Sequence, residues 1–367
     1  MSCDFIALAN QGVQKLSPYQ TGKPIDELKR ELGLDDIIKL ASNENPLGCS
    51  PLAIAAIQAE LKQVSLYPDG NGFNLKQAIQ QKFGFELNCI TLGNGSNDIL
   101  ELVARAYIAQ GESAVYSQHA FAVYPLAVQA VGGIGIEVPA KNFGHDLEAM
   151  AAAIQSNTKV VFIANPNNPT GTWFERHEFE QFMAQVPTHV LVVLDEAYVE
   201  YVTDAGFING FDYVKQYANL IVSRTFSKAY GLASLRVGYA IASADVTNIL
   251  NRVRQPFNVN SFALAAATAA LQDESFVKQS HELNSAGMAQ LEQGLGALGL
   301  GFIPSKGNFI AFDTGRPCVP VFQALLQQGV IVRPIANYGL PNYLRVSIGL
   351  ESENARFLAA LKQVLAV

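Results

Sequence analysis

The sequence predicts an α/β fold, with a large domain carrying a mainly parallel sheet covered by helices and a smaller α+β domain. Three observations point there. Between residues 90 and 241, short apolar runs alternate with helix-length amphipathic stretches. Polar clusters rich in glycine and proline close several of those runs, at the strand ends where open parallel sheets bind ligands. After about Asn258 the pattern shifts to long helices separated by short strands. A chain of 367 residues is long enough for two cores. The expected division is 36–258 for the large domain and 1–35 with 259–367 for the small one, the N-terminal segment being too short to stand alone.

Each element follows from its local pattern. Ile90-Thr-Leu reads as a strand stopped by Gly93-Asn-Gly-Ser, and Asp98 to Ala109 as an amphipathic helix. Strands are expected at Ser113–Tyr116, Ile134–Val138, Lys159–Ala164, His189–Leu194, Leu220–Ser223 and Val237–Ile241. The intervening helices are expected near Tyr124–Gly132, Asp146–Gln155 and Phe174–Gln185. In the second part, Ser261–Asp273 is an alanine-rich helix and Glu274–Leu298 a longer one. Short strands follow at Asn308–Phe312, Val330–Arg333 and Tyr343–Ile348.

Composition removes several functions. The net charge is −7 and no run of Lys or Arg exceeds two residues, which argues against a nucleic-acid surface. The longest apolar runs are strand-sized, and the N-terminus has no basic-then-apolar leader, so neither a membrane span nor a signal peptide is expected. Four cysteines without C-x-x-C spacing read as reduced thiols of a cytoplasmic protein. Five scattered histidines leave no paired metal ligands, so no metal is expected.

Four clusters carry the chemistry. Gly93-Asn-Gly-Ser-Asn-Asp98 joins a strand to a helix and frees N–H groups for an anion. It starts like G-x-G-x-x-G, but Asp98 occupies the third glycine position. Asn165-Pro-Asn-Asn-Pro-Thr-Gly171 is a rigid turn that holds the Asn168 amide in place. Asp195, in Asp195-Glu-Ala-Tyr198, ends an apolar run; a carboxylate there needs a cation or a strong donor, and Tyr198 is near enough to face the same ligand. Ser223-Arg-Thr-Phe-Ser-Lys228 sets a lysine among hydroxyls, suited to attack carbonyls, and Thr225, Ser227 and Arg236 suit a phosphate. Each cluster alone also reads as an ordinary cap or turn. Together they meet the needs of a carbonyl cofactor with a phosphate and a pyridine nitrogen, which is pyridoxal 5'-phosphate.

These residues make the chain similar to the fold-type I, aspartate-aminotransferase-like enzymes that use pyridoxal phosphate, over nearly its whole length. Within that group it resembles the histidinol-phosphate aminotransferase family. The resemblance rests on Leu16-Ser-Pro-Tyr-Gln-Thr-Gly22, Leu40-Ala-Ser-Asn-Glu-Asn-Pro-Leu-Gly48, Tyr67-Pro-Asp-Gly70, Phe226-Ser-Lys-Ala229 and Leu344-Arg-Val-Ser-Ile-Gly349. It implies that Lys228 holds the cofactor covalently and shuttles the proton. Asp195 would then pair with the ring nitrogen, and Tyr198 and Asn168 with the phenolic oxygen. The backbone of Ser96 and Asn97 would hold the phosphate beside Thr225, Ser227 and Arg236. Tyr67 would complete the site of a partner in a homodimer. Phe121 stands where many relatives have a tyrosine stacked on the ring, keeping the face but not the hydroxyl. Arg345 would bind the substrate anion, helped by Arg333 and Tyr19.

The activity so implied is amino transfer between L-histidinol phosphate and 2-oxoglutarate, giving imidazole acetol phosphate and L-glutamate, in histidine biosynthesis. Aromatic amino acid aminotransferases and decarboxylases of phosphorylated amino acids share the fold, which alone does not choose among them. An NAD-dependent oxidoreductase would use the Gly93 turn but lacks the third glycine and leaves Lys228 and Asn168 unexplained. A non-catalytic ligand-binding module would have no need to keep both Lys228 and Asp195.

Overall fold

The structure is a computed structural model, and it describes residues 3–18 and 22–365. A two-residue strand, β1 (Ile38–Lys39), precedes the main sheet. That sheet is built from β2 (Ile90–Gly93), β3 (Ser113–Ser117), β4 (Ile134–Val138), β5 (Thr158–Ala164), β6 (Leu191–Asp195), β7 (Leu220–Thr225) and β8 (Gly238–Ile241). Its order is β2-β8-β7-β6-β5-β3-β4, and every neighbouring pair is parallel except the two made by β8. The inner strands are largely apolar on both faces because helices cover both, whereas the edge strand β4 is mostly exposed. In β5, Val161 and Ile163 face one core cluster while Val160, Phe162 and Ala164 face the other.

A second sheet, in the order β12-β13-β10-β9, is antiparallel. It comprises β9 (Phe302–Ile303), β10 (Phe309–Asp313), β12 (Arg333–Pro334) and β13 (Tyr343–Ser347), while β11 (Val330–Ile331) pairs with β1. Leu291 and Leu295 from the helix Glu274–Ala297, Val321 and Leu325 from Cys318–Gln327, and Phe357 and Leu361 from Glu351–Leu365 form its core. The single strand expected at Val330–Arg333 is therefore two pieces, because the chain leaves one strand pair and enters the other at Val332.

Packing also crosses the expected division of the chain. The alanine-rich helix Ser261–Ala270 sets Ala263, Ala266, Ala267 and Ala270 into the core of the seven-stranded sheet. Conversely, Leu40 joins the core of the antiparallel sheet, and Ala41 packs with Leu28, Leu326 and Ile331. The N-terminal segment touches both bodies. Helix Ile25–Leu32 buries Leu28 on the smaller one, while Gly12 lies against the backbone of Gln129 and Gly132 on the larger. Alanine and glycine permit such close approaches because they add almost no side-chain volume between backbones.

Among the described residues no helix is long and apolar enough to cross a membrane, and no group of His, Cys, Asp and Glu could hold a metal ion. Cys3, Cys49, Cys89 and Cys318 are free thiols.

Candidate active site

The carboxyl ends of β2, β5, β6 and β7 open onto one cavity of about 290 Å³, which Arg333 and Arg345 from the antiparallel sheet also line. One corner of it is built by glycine. After β2 the chain turns through Gly95 at φ 81°, so the helix begins at Ser96, two residues earlier than its apolar pattern suggests. A side chain on Gly95 would strike the guanidinium of Arg236. One on Gly238 would lie 2.5 Å from the Ser96 nitrogen. Both positions must be glycine for the turn to approach β8 and Arg236. The first-turn N–H groups of Ser96 and Asn97 have no partner within the helix and sit at its positive end. Asp98, in the place of a third glycine, accepts from the Asn94 N–H at 2.9 Å and from Asn258 Nδ2 at 2.7 Å, which fixes the turn against the Asn258 segment.

Beyond β7, Thr225 Oγ1 accepts the Ser227 N–H at 3.1 Å, and Arg236 Nη1 donates to Ser227 Oγ at 3.3 Å. These hydroxyls and the guanidinium line the same cavity as Ser96 and Asn97. The result is a corner of N–H, O–H and guanidinium donors suited to a phosphate.

Lys228 and Asp195 line the same cavity. Nζ of Lys228 donates to the Ser42 carbonyl at 3.1 Å and lies 5.8 Å from the Tyr198 ring centroid. Burial, with Arg345 adding to it, lowers the Lys228 pKa from 10.5 to about 7. A large share of its amine is therefore neutral near pH 7, as a nucleophile or base requires. Asp195 is 5% exposed; its Oδ2 accepts from Tyr124 Oη at 3.0 Å, and its Oδ1 has no hydrogen-bond partner among the described residues. Burial raises its pKa from 3.8 to about 6, against the pull of the Tyr124 hydroxyl. Tyr198 Oη accepts from Asn43 Nδ2 at 3.0 Å, and burial pushes its pKa up to about 12. The hydroxyl is a donor at any working pH.

Arg333 and Arg345 are cross-strand partners in the β12–β13 pair, and both are nearly buried. Arg345 donates from Nη1 to Asn168 Oδ1 and from Nη2 to the Ala41 carbonyl at 2.8 Å. Its guanidinium lies 5.2 Å from the Phe309 ring centroid. Asn168 belongs to the turn after β5, which has cis bonds at Asn165-Pro166 and Asn168-Pro169. Asn165 secures that turn by accepting the Phe174 N–H at 3.0 Å and donating to the Phe174 carbonyl at 3.1 Å.

Twelve of the residues singled out from sequence thus meet at one cavity: Ser96, Asn97, Phe121, Asn168, Asp195, Tyr198, Thr225, Ser227, Lys228, Arg236, Arg333 and Arg345. Tyr67 does not line it. It is 83% exposed and stacks on Phe257, with ring centroids 4.8 Å apart. Tyr19 lies outside the described residues. Sequence reasoning missed Ser42, Asn43 and Tyr124. The first two sit inside the quoted Leu40–Gly48 motif, and only their contacts with Lys228 and Tyr198 give them a role. Tyr124 reads as one apolar position of a helix, and nothing local points it at Asp195.

The sequence matches the model of the class I and II aminotransferase family over residues 35–361. It is 64% identical to histidinol-phosphate aminotransferase 2 of Pseudomonas fluorescens over the whole of both chains, and 65% identical to that of Pseudomonas aeruginosa over 99% of each. The chain belongs to the histidinol-phosphate aminotransferases, within the class I and II family. Among solved structures, that of histidinol-phosphate aminotransferase from Sinorhizobium meliloti, in complex with pyridoxal 5'-phosphate, superposes with a TM-score of 0.90 at 28% identity. The match covers 97% of this chain and 96% of that one. Aspartate aminotransferase of Thermus thermophilus shares the fold, with a TM-score of 0.84 at 23% identity.

As an aminotransferase the protein needs a place for pyridoxal phosphate, and its residues fit that group. The orphaned, buried Asp195 Oδ1 lacks a cationic donor, which a protonated pyridine nitrogen supplies. The donor corner at Ser96, Asn97, Thr225, Ser227 and Arg236 matches a phosphate, and Lys228 opens on the same cavity as both. Phe121 offers a ring face without a hydroxyl.

Proposed function

We propose that the protein transfers the amino group of L-histidinol phosphate to 2-oxoglutarate, giving imidazole acetol phosphate and L-glutamate, as a step of histidine biosynthesis. The observation that carries this reading is the cross-strand pair Arg333 and Arg345, which lines the same cavity as the donor corner. One substrate presents a phosphate and the other carboxylates, and both must reach the same amine chemistry. Two fixed guanidinium forks serve either anion.

Bound pyridoxal phosphate supplies the electron sink for cleavage of a substrate C–H bond. Lys228 would hold it covalently, and its amine, with a pKa lowered to about 7, would move the proton at the substrate Cα. Asp195 would keep a positive charge on the ring nitrogen, and Tyr124 holds its carboxylate in place. Tyr198 and Asn168 would donate to the phenolic oxygen. Ser96, Asn97, Thr225, Ser227 and Arg236 would grip the phosphate, and Phe121 would offer its ring face to the cofactor. Arg345, Arg333 and Tyr19 bind the substrate anion.

The experiment is glutamate formation from 2-oxoglutarate with a panel of L-histidinol phosphate, phenylalanine, tyrosine and aspartate. Histidinol phosphate should be the best donor. Preference for phenylalanine would make the protein an aromatic amino acid aminotransferase instead. A charged hydrogen bond is worth about 1.5–3 kcal/mol, so Arg345→Ala should lower kcat/KM of both half-reactions by roughly 10- to 100-fold. Arg333→Ala should weaken histidinol phosphate more than glutamate, because the dianion gains more from a second charge. Tyr19→Phe should cost less than either change. Single-turnover absorbance of each half-reaction measures all three.

The active unit we propose is a cytoplasmic homodimer in which Tyr67 completes the partner's site. Tyr67 is exposed and absent from its own cavity, and it lies in a segment with exposed Leu61, Val64, Leu66 and Phe73. Mixing inactive Tyr67→Ala and Lys228→Ala proteins should restore part of the activity, since one hybrid site carries both native residues. An active monomer by light scattering at assay concentration would overturn the dimer. The division of the chain that best suits the packing gives the helix Ser261–Ala270 to the large domain and residues 36–41 to the small one.

A further inference from the structure

His119 lies outside the motifs above, yet it touches two segments that carry cavity residues, the connection between Arg333 and Arg345 and the turn holding Asn168. It follows β3 in the left-handed region at φ 59° and precedes Phe121 by two residues. Its Nδ1 donates to the carbonyl of Tyr338. Tyr338 belongs to the connection between β12 and β13, the strands that carry Arg333 and Arg345. The imidazole also packs on Gly339 of that connection. A Cβ built there would stand 3.4 Å from His119 Cε1, and the glycine's φ of 77° fits the turn. From the other side, Asn167 Nδ2 donates to the His119 carbonyl at 3.1 Å, and Asn167 is the neighbour of Asn168, which accepts from Arg345. Phe143 extends the contact, its ring 6.3 Å from that of His119 and 5.7 Å from that of Tyr343 at the start of β13.

We propose that His119 is a positioning residue that pins the Arg333–Arg345 strand pair to the turn carrying Asn168 and so sets the affinity for the anionic end of the substrate. The inference rests on the reading of those arginines as anion binders. It does not depend on which amino donor is the natural one. A carbonyl only accepts, so Nδ1 must carry a proton, and the neutral Nδ1–H tautomer and the imidazolium both satisfy the bond. Asparagine is the conservative replacement. Its Nδ2 stands at the same number of bonds from the backbone, and asparagine tolerates positive φ. Glycine keeps the backbone and removes the donor.

The test compares the parent, His119→Gly and His119→Asn as holoenzymes. Two quantities are measured: KM and kcat for whichever panel donor the parent uses best, and the calorimetric Kd of succinate, an unreactive dicarboxylate. Losing one hydrogen bond of ordinary net strength corresponds to about a fivefold to tenfold change. His119→Gly should raise KM and the succinate Kd by at least about fivefold while kcat falls less, and His119→Asn should recover most of the loss. Equal succinate affinity in parent and His119→Gly, or equal weakness in the Gly and Asn variants, would overturn the proposal. Should His119→Gly fail to fold, His119→Ala takes its place, with the same outcomes deciding. A wrong substrate assignment shows in the parent alone, as a different preferred donor, and leaves the comparison of variants intact.

Discussion

Lys228→Ala is expected to abolish covalent attachment of the cofactor and to lower turnover by more than about 10³-fold. The amine performs two tasks, and proton transfer by a positioned group is itself worth about 10²–10⁴-fold. The donor corner at Ser96, Asn97, Thr225, Ser227 and Arg236 is untouched by the change, so pyridoxal phosphate should still bind, reversibly. Borohydride reduction followed by mass spectrometry separates the two effects. The parent should carry one reduced cofactor on Lys228, a gain of the cofactor's mass less one oxygen, and the variant none. A variant that turns over normally would remove Lys228 from the mechanism. The pKa of about 7 adds a signature in the cofactor-free protein. Between about pH 7 and 10.5 the unfolded chain holds a proton on this lysine that the folded one lacks, so the Lys228 contribution makes stability rise with pH in that window.

Asp195→Asn should keep pyridoxal phosphate bound but lower kcat/KM by roughly 10²–10³-fold, the usual loss when one preorganised electrostatic partner is removed. Asparagine preserves the shape and can still accept from Tyr124, but it no longer holds a positive charge on the ring nitrogen. The same substitution has the opposite sign for stability without cofactor. The Asp195 pKa rises from 3.8 unfolded to about 6 folded, so the folded state binds the extra proton between those values. Stability from this group is therefore lost as pH climbs through that window, by about 3 kcal/mol for a shift of about two units. Cofactor-free Asp195→Asn should lack that loss and melt higher than the parent above pH 6, with the difference vanishing near pH 4. Denaturant midpoints of the two proteins across pH 4–8 measure it. A parent as stable as the variant at pH 7 would mean that Asp195 Oδ1 already has a partner. That cost in stability is one a bound cation would offset, as expected of a carboxylate kept for binding.

Much of this site is legible in the chain because an open parallel sheet puts its strand ends together. Asp195 ends a run of five apolar residues, and Lys228 and Asn168 follow similar runs; the fold class then makes them neighbours without knowledge of any contact. The glycines at 93 and 95 announce the anion corner through the backbone freedom they supply, a local property. What the chain by itself determined was therefore the strands, the residue types at their ends, and the chemistry those types support together. Only the tertiary structure decided the partners: Tyr124 on Asp195, Asn43 on Tyr198, the Ser42 carbonyl on Lys228, and His119 on the turn between the two arginines. It also decided that the alanine-rich helix Ser261–Ala270 joins the large core and that residues 38–41 join the small one. The physical reason is range. A strand end or a glycine turn follows from neighbours a few residues away, whereas Asn43 and Tyr198 are 155 residues apart, and their meeting depends on strand order, crossover and packing that no local periodicity encodes.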